Sequence, residues 1–407
     1  MSFSQRTAQG ASRASLAFIA VTVALDVASQ SMIFPILPRL VEDLVAHDRA
    51  SAARWVGWLE AAWAFTQFFA APFLGLLSDR YGRRPVILIS LFGLVVDLVV
   101  TAIAPDLWWL LAARAVCGMT TATPAAAAAY VADVTPPDSR AGTFGLLNAA
   151  AWSGIIIGPA IGGLAGGHDP RLPFWIAAGV TLLNAVYGLF VLPESLRPEN
   201  RTARVDWAKA NPVGAVGLLA SRPGLLPLAG VYQLLWFALH AMNAVMVLYT
   251  LHRYGWDPIA FGVFCSVAAV GNIFVQSWLA GRVTRRFGDR SVLVAGLVFQ
   301  VLGFLASGLA PNALLYCAAY GLVTLGNLAG PALQSLMTAT VGEDEQGRLQ
   351  GACGAMASTA TFFAPVVFTQ LFALTLGMGS SWLGLTLVIG AGLTALGLPL
   401  AVRSRRA

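Results

Sequence analysis

Long apolar runs recur along the whole chain, and they restrict its fold more than any other feature. A helix needs roughly 20 apolar residues to cross the ~30 Å hydrocarbon core of a bilayer. Membrane-spanning strands would instead alternate apolar and polar residues, and these runs do not alternate. We therefore predict an all-α integral membrane protein with twelve transmembrane helices. The predicted spans, numbered 1 to 12, are residues 14–38, 53–77, 85–104, 107–132, 141–165, 171–192, 226–250, 257–281, 291–310, 313–338, 350–377 and 381–402.

The charged residues argue against a water-soluble or nucleic-acid-binding protein. They make up 11% of the 407 residues, against about 25% in soluble domains. If the N-terminus is cytoplasmic, 19 of the 25 Lys and Arg residues fall in cytoplasmic segments and five fall outside. This is the positive-inside pattern. We therefore predict cytoplasmic termini and a lipid bilayer, not nucleic acid, as the partner of the basic residues.

No motif for a metal, a cofactor or catalysis is found in the sequence. The four cysteines lie inside predicted spans, without CxxC spacing or a paired His. HExxH, GxSxG and Walker motifs are absent. We predict no cofactor and no metal, and an integral-membrane enzyme is the least favoured alternative.

Two segments 206 residues apart repeat each other. Gly75–Val86 reads GLLSDRYGRRPV, and Gly281–Val292 reads GRVTRRFGDRSV. We therefore predict a duplicated six-span unit. Parallel repeats of this kind place a substrate site near the midplane and expose it alternately to each side. The predicted parts are an N-terminal six-helix bundle at 1–192, a cytoplasmic linker at 193–225 and a C-terminal six-helix bundle at 226–407.

The segment 75–86 resembles the motif between spans 2 and 3 of the major facilitator superfamily: Gly, three residues, Asp-Arg, one residue, Gly-Arg-Arg. Span 5 carries GIIIGPAIGG at 154–163, which looks like the glycine-proline motif of drug:proton antiporters. Within that group the chain is similar to the bacterial tetracycline-efflux family. The other segments that carry this similarity are LDVASQSMIFPILP (25–38), AYVADVTPP (129–137), LPESL (192–196), NPVGAVGLL (211–219), GPALQSLM (330–337) and EQGRLQG (345–351).

The resemblance implies a major facilitator fold with two pseudo-symmetric six-helix halves, in the cytoplasmic membrane of a bacterium. It implies a monomeric secondary transporter that exports amphipathic drugs or related metabolites in exchange for protons. Proton-coupled uptake and sugar or metabolite efflux are alternatives, although the span 5 motif favours export.

Charged residues between spans 2 and 3 are predicted to gate the cytoplasmic side. The resemblance implies that Asp79 lies near the N-terminal end of span 11, where the helix dipole favours a carboxylate by ~0.3–1 kcal/mol. Arg83 or Arg84 can pair with Asp133 at the end of span 4, and Arg80 belongs to the same cluster. These contacts would latch the cytoplasmic side in the outward-facing state. Anchoring by positive charge alone is the alternative.

The span 5 motif is predicted to seal the outward side. Gly154, Gly158 and Gly162 lie at positions i, i+4 and i+8, which gives one smooth face for close helix packing. Pro159 removes a backbone donor and can bend the helix. The sealing role is implied by the resemblance, and packing without a directional role is the alternative.

Ionisable residues within spans indicate a transport site, because a charge at the bilayer centre costs at least ~2.5 kcal/mol. The acids in such positions are Asp26, Glu60 and Asp97, and the arginine is Arg114. Burial favours the protonated acid, whereas a nearby guanidinium favours the carboxylate, and a balance of the two allows proton exchange. We predict that these residues couple transport to protons. A permanent ion pair of Arg114 with either aspartate is the alternative.

Aromatic and polar residues of span 7 are predicted to line the substrate cavity. Tyr232, Trp236, His240 and Asn243 share one helix face, and a lipid-facing stripe would not hold His and Asn. Aromatic walls bind flat or cationic ligands by stacking and cation–π contact, worth roughly 0.5–2 kcal/mol each.

A second predicted cavity face lies on span 2, where Glu60 is followed at helical spacing by Trp63 and Gln67. Glu60 departs from the family, which usually has an apolar residue there. It either faces the cavity or reaches the membrane interface.

Two positions depart from the tetracycline antiporters, which carry a His in span 8 and an Asp in span 9. Those positions are Asn272 and Gln300 here, whereas Gln276 matches. All three amides are candidates for the cavity, but amides cannot carry a proton near neutral pH. We therefore expect weak or absent tetracycline export, with His240 as a proton relay because imidazole exchanges a proton near neutral pH.

Overall fold

The computed structural model describes residues 3–136, 139–196, 224–342, 345–379 and 382–403, together with 199, 201 and 219. Within these residues all regular structure is helical, and twelve helical stretches are long and apolar enough to cross a membrane. The prediction of twelve transmembrane helices is therefore confirmed. The predicted linker at 193–225 falls mostly outside the described residues.

Most spans are single helices, and spans 1, 4, 8 and 10 are interrupted. The single helices are Arg49–Tyr81 (span 2), Arg83–Ile103 (span 3), Arg140–His168 (span 5), Leu172–Val191 (span 6), Leu225–Tyr254 (span 7), Asp289–Leu309 (span 9), Gln346–Met378 (span 11) and Leu385–Arg403 (span 12). The interrupted spans consist of Phe3–Ile33 and Leu37–Leu44 (span 1), Leu107–Thr120 and Thr123–Val134 (span 4), Pro258–Phe274, the π-helical Val275–Leu279 and Ala280–Phe287 (span 8), and Ala313–Gly326 and Ala329–Thr338 (span 10).

Side-chain caps fix the beginning of several spans. The Asp106 carboxylate accepts from the backbone N–H of Trp108 at 2.9 Å, and Asn312 caps span 10 at the same position of the repeat. Asp48 caps the beginning of span 2, because its carboxylate accepts hydrogen bonds from the hydroxyl and the backbone N–H of Ser51. These hydrogen bonds lower the pKa of Asp48. Such caps satisfy backbone donors that a helix leaves unpaired at its N-terminus.

The duplication seen in the sequence is visible in the helices themselves. Spans 3 and 9 begin and end at matching residues 206 positions apart, and so do the first helices of spans 4 and 10. Gly82 and Gly288, which precede spans 3 and 9, both have positive φ values, of 111° and 77°. This backbone conformation favours glycine, so each repeat needs its glycine at the turn.

The described residues of 1–40, 62–210 and 258–266 form a first compact unit, and those of 41–61, 211–257 and 267–407 form a second. In the first unit, span 1 packs on spans 5 and 6, and span 3 packs on spans 4 and 6. In the second, span 7 packs on spans 11 and 12, and span 9 packs on spans 10 and 12. The two units therefore use the same packing scheme.

The compact units do not coincide with the two sequence halves. The beginning of span 2 belongs to the second unit, and the beginning of span 8 belongs to the first. The division of the sequence at 192 and 226 stays a prediction.

Each unit has its own apolar core, built from matching positions of the repeat. Val86 and Leu91 are buried in the first unit, and their counterparts Val292 and Leu297 are buried in the second. Many large apolar side chains elsewhere are exposed, among them Leu183, Phe190 and Leu314. Apolar side chains on the outside are what a lipid-facing surface requires.

Candidate functional site

Asp26 is a buried acid in the middle of span 1, and its side chain makes one hydrogen bond. The residue is 2% exposed, and Gln30 Nε2 donates to Asp26 Oδ2 at 2.9 Å. Among the described residues, no cation forms an ion pair with Asp26. A lone buried carboxylate is costly, so this environment suits an acid that gains and loses a proton.

Asp97 and Arg114 form an ion pair between spans 3 and 4. The guanidinium Nη2 donates to Asp97 Oδ2. Asp97 is fully buried, and the Arg114 side chain is 11% exposed. The sequence left open which aspartate Arg114 would meet, and the structure pairs it with Asp97.

Arg83 holds the two acids of the predicted cytoplasmic latch. Its Nη1 donates to Asp79 Oδ1 at 2.5 Å, and its Nε donates to Asp133 Oδ2 at 3.1 Å. Of the two arginines considered for Asp133, it is Arg83 that pairs with it. Arg84 instead donates to the Leu189 carbonyl oxygen of span 6, and the Arg80 guanidinium lies 5.3 Å from the ring centroid of Tyr81.

A cavity of about 310 Å³ lies among spans 2, 3 and 4, and Asp79 and Arg83 are part of its lining. Small apolar side chains make up most of its wall. Its polar lining residues are Gln67, Ser78, Asp79, Arg83 and Thr121. Gln67 therefore lines the same cavity as Asp79 and Arg83, whereas Glu60 and Trp63 lie half-buried nearer the beginning of span 2. The substrate-cavity role of these three residues stays a prediction.

The glycine face of span 5 packs directly on the backbone of span 1. A Cβ atom at Gly154 would overlap Ala24 and Ala28, and one at Gly162 would overlap the carbonyl of Met32. Gly158 lies between them and is equally close to span 1. The predicted close packing is thus present, and span 1 is the neighbour.

The other side of span 5 contacts the beginning of span 8, within the first compact unit. A Cβ atom at Gly262 would overlap the Pro159 carbonyl oxygen, and Ser266 Oγ donates to the Ile156 carbonyl oxygen at 2.5 Å. The predicted sealing role of this face stays a prediction.

The aromatic face of span 7 is continuous. The rings of Tyr232 and Trp236 are 5.8 Å apart, and those of Trp236 and His240 are stacked at 5.5 Å. His240 Nε2 lies 3.1 Å from Thr361 Oγ1 of span 11. Asn243 follows one turn later and is half-buried.

Comparison with known proteins shows the family. The profile of the Major Facilitator Superfamily matches residues 19–365. The chain belongs to the Major Facilitator Superfamily. The class C tetracycline resistance protein of Escherichia coli is 34% identical to this facilitator over 378 residues, 93% of this chain and 94% of the relative. The class G protein of Vibrio anguillarum is 32% identical over 391 residues, 96% and 98% of the two chains.

Solved structures support the fold of this facilitator. The human organic anion transporter MFSD10 (TETRAN) has a TM-score of 0.69 at 21% identity, covering 96% of this chain and 99% of that one. A bacterial homolog of the human lysosomal transporter Spinster has a TM-score of 0.77 at 16% identity, covering 97% of both chains. The predicted fold and the similarity to tetracycline-efflux proteins are confirmed. This facilitator is a multi-pass inner-membrane protein of the drug-efflux group.

Glu194, which sequence reasoning missed as a site residue, ties span 6 to the beginning of span 3 in this facilitator. Its carboxylate accepts from the backbone N–H groups of Arg83 at 2.8 Å and Arg84 at 3.2 Å. Ser195, the next residue, donates to Asp133 Oδ2 at 3.0 Å. The acid is visible in the LPESL segment, but its partners are about 110 residues away.

A second missed contact pairs Glu42 with His252 in the second compact unit. His252 Nε2 lies 2.9 Å from Glu42 Oε1, and their side chains are 3% and 14% exposed. The imidazole also stacks on Phe372 of span 11, with ring centroids 6.3 Å apart. No local pattern in the sequence links the two residues.

The three amides predicted for the cavity occupy different surroundings. Gln300 is buried against Gly326, and Gln276 is exposed in the π-helical turn of span 8. Asn272 Oδ1 accepts a hydrogen bond from Nδ2 of Asn327, a residue that the sequence did not single out.

Proposed function

We propose that this facilitator is a proton-coupled antiporter that exports small amphipathic compounds from the bacterial cytoplasm by alternating access. The observation that carries the proposal is Asp26, a buried acid with an amide hydrogen bond and no ion-pair partner among the described residues. Such an acid can hold a proton, and it can release the proton when water or a cationic substrate reaches it.

The remaining ionisable residues have proposed roles around Asp26. Asp97 and Arg114 set the charge next to the proton site, because their ion pair can exchange partners when a substrate binds. Glu60 and His240 are candidates for passing protons to either side. His240 is suited to this role by its contact with Thr361, which can donate or accept a hydrogen bond.

Amphipathic compounds are the proposed substrates, and they are supported by the aromatic face of span 7. The relatives named tetracycline resistance proteins favour export over uptake. Tetracycline itself is expected to be a poor substrate, because Asn272 and Gln300 replace two titratable residues of that family. Proton exchange must then rest on the acids of the N-terminal half and on His240.

The proposed working arrangement is a monomer with both termini in the cytoplasm. The latch of Asp79, Arg83 and Asp133 belongs to the cytoplasmic side, and the span 5 face belongs to the outward side. Glu194 supports the latch because it fixes the backbone from which Arg83 projects.

The test is transport by the purified protein in proteoliposomes with an imposed pH gradient. Ethidium is one probe, within a panel of amphipathic drugs that is also used for susceptibility in an efflux-deficient host. We expect uphill, protonophore-sensitive transport that is lost in Asp26→Asn. The matched control is Asp43→Asn, which removes an acid with a 44% exposed side chain and should leave transport unchanged.

Transport that ignores the proton gradient but needs ATP would exclude the antiport mechanism. Drug accumulation, in place of drug loss, in cells expressing the protein would favour uptake. Unchanged coupling in Asp26→Asn would remove this acid from the proton site.

A further inference from the structure

Two helix irregularities in the second compact unit lie beside one pair of carboxamides. Span 10 is interrupted between Gly326 and Ala329, and span 8 contains a π-helical turn that begins three residues after Asn272. Asn327, in the interruption, donates from Nδ2 to Asn272 Oδ1 at 2.5 Å. Interrupted membrane helices and π-helical turns concentrate at functional sites, so this pair lies where a ligand contact is expected.

The amide pair keeps hydrogen-bonding capacity that the protein does not use. One bond joins the two side chains, and among the described residues Asn272 Nδ2 and Asn327 Oδ1 make no other hydrogen bond. Both residues are half-buried. The pair therefore presents one donor next to one acceptor. Exchanging N and O in both amides leaves the same outcome, since one NH₂ group and one carbonyl oxygen still remain.

Gln300 adds a buried acceptor next to the interruption. It is 1% exposed, and its Oε1 has no hydrogen-bond partner among the described residues. Its Cβ atom packs against Gly326, the residue before Asn327. A buried polar atom without a partner is costly, which indicates that something outside the protein chain satisfies it.

The equivalent interruption in the first compact unit has no such capacity. There the Ser90 hydroxyl accepts from the N–H groups of Ala122 at 2.5 Å and Thr123 at 3.1 Å, and it donates to the Thr120 carbonyl oxygen at 2.5 Å. The residue that matches Ser90 in the repeat is Gly296, which has no side chain. The Ser90 hydroxyl thus satisfies backbone groups at the interruption of span 4, whereas span 9 has no hydroxyl at the matching position beside span 10.

We propose that Asn272 and Asn327 bind a neutral, planar donor–acceptor group of the transported compound, such as a carboxamide or an enolised carbonyl. This inference rests on the proposed export function and specifies its substrate class. Residues 291–338, which make up most of spans 9 and 10, contain no Asp, Glu, Lys, Arg or His, so a neutral group fits this region. The donor of the ligand meets the Asn327 oxygen, and its acceptor meets the Asn272 nitrogen. Gln300 Oε1 accepts a further hydrogen bond from the ligand or from a water that it brings.

The experiment measures binding to the purified, full-length protein in lipid nanodiscs. The probes are a dansyl-labelled amphiphile that ends in a primary carboxamide and the same compound ending in a nitrile, which lacks the donor. Ethidium, which has no carboxamide, is the reference ligand. We expect the carboxamide to bind about tenfold tighter than the nitrile, as the loss of one good hydrogen bond implies.

The variants Asn272→Leu and Asn327→Leu should abolish this preference, and an unchanged size-exclusion profile and melting temperature would show that they are folded. The matched control is Thr324→Val, one turn earlier in span 10, because the Thr324 hydroxyl donates to the Tyr320 carbonyl oxygen of its own helix. It should keep the full preference. Asn327→Ser, which removes the amide but stays small and polar, replaces any leucine variant that fails to fold.

Equal affinities for the carboxamide and the nitrile would overturn this proposal, and so would leucine variants that keep the preference. In either case, ethidium binding with proton exchange would leave the export function standing. Failure of all three probes to bind, with no substrate-driven proton exchange, would instead reject the export function, and the proposal with it.

Discussion

Replacing Asp97 by leucine should destabilise the protein by about 3–5 kcal/mol. Asp97 is fully buried, and its carboxylate receives a hydrogen bond from an Arg114 guanidinium that is itself 11% exposed. Removing the carboxylate takes away a buried countercharge of the guanidinium. Arginine cannot become neutral by losing its proton, so the free-energy cost cannot be avoided by titration.

The reverse substitution should cost less. In Arg114→Met the remaining Asp97 carboxyl can take up a proton and become neutral, which limits the loss to about 1–3 kcal/mol. The double variant Asp97→Leu/Arg114→Met removes both charges. Replacing a buried ion pair by apolar side chains of similar size is often neutral or stabilising. The expected order of stability therefore places the double variant above both single variants, and Asp97→Leu lowest.

The assay is a double-mutant cycle of unfolding, followed by thermal melting or denaturant in one detergent. Losses that simply add, within about 0.5 kcal/mol, would refute the coupling of these two residues. The same variants separate structure from transport. A stable double variant that still exchanges protons with substrate would make the pair structural, whereas a stable but uncoupled one would place Asp97 in the proton site.

Three further predictions concern the latch and the relay. Asp79→Asn should lower transport at near-normal expression, because Arg83 loses an ionised partner. It should also make cysteines on the cytoplasmic side react faster with a thiol reagent. Unchanged cysteine labelling and unchanged flux would contradict the latch. Glu194→Gln should lower stability by about 0.5–2 kcal/mol, as expected for a lost helix cap, and a melting temperature equal to that of the wild type would contradict the capping role. His240→Ala should slow proton exchange with any exported compound, while Thr361→Val, which removes only its hydrogen-bond partner, should slow it less. Full activity of His240→Ala would exclude the relay.

The sequence predicts the fold well because the bilayer imposes simple length and polarity rules. The apolar runs locate all twelve spans, and the repeat anticipates the matching helices of spans 3 and 9. A pairing of Asp133 with Arg83 or Arg84 was also within reach, since these residues lie at span ends on the same predicted side, but the sequence did not select Arg83. These features depend on local composition and on spacing along the chain.

Contacts between distant residues could not be predicted in this way. Glu194 and His252 find their partners across more than a hundred residues, and no pattern near either residue shows the partner. The second helix of span 4 did have a local signal, since Pro124 lies in its first turn, where a missing backbone donor costs little. Span 10 has Pro331 in the first turn of its second helix, but the hydrogen bond from Asn327 to Asn272 is visible only in three dimensions.

The matching interruptions of spans 4 and 10 bear on the ancestry of the protein. Because they fall at the same position of the repeat, we infer that the break was present in the six-helix unit before it was duplicated. The two copies have since diverged in how they accommodate it. A Cβ atom at Gly296 would lie 2.7 Å from the Ala329 nitrogen, so a serine grafted there would collide where Ser90 bridges. The halves are therefore no longer interchangeable, because a symmetric protein rebuilt from the first copy would carry the serine closure at both breaks, and one rebuilt from the second copy would carry it at neither.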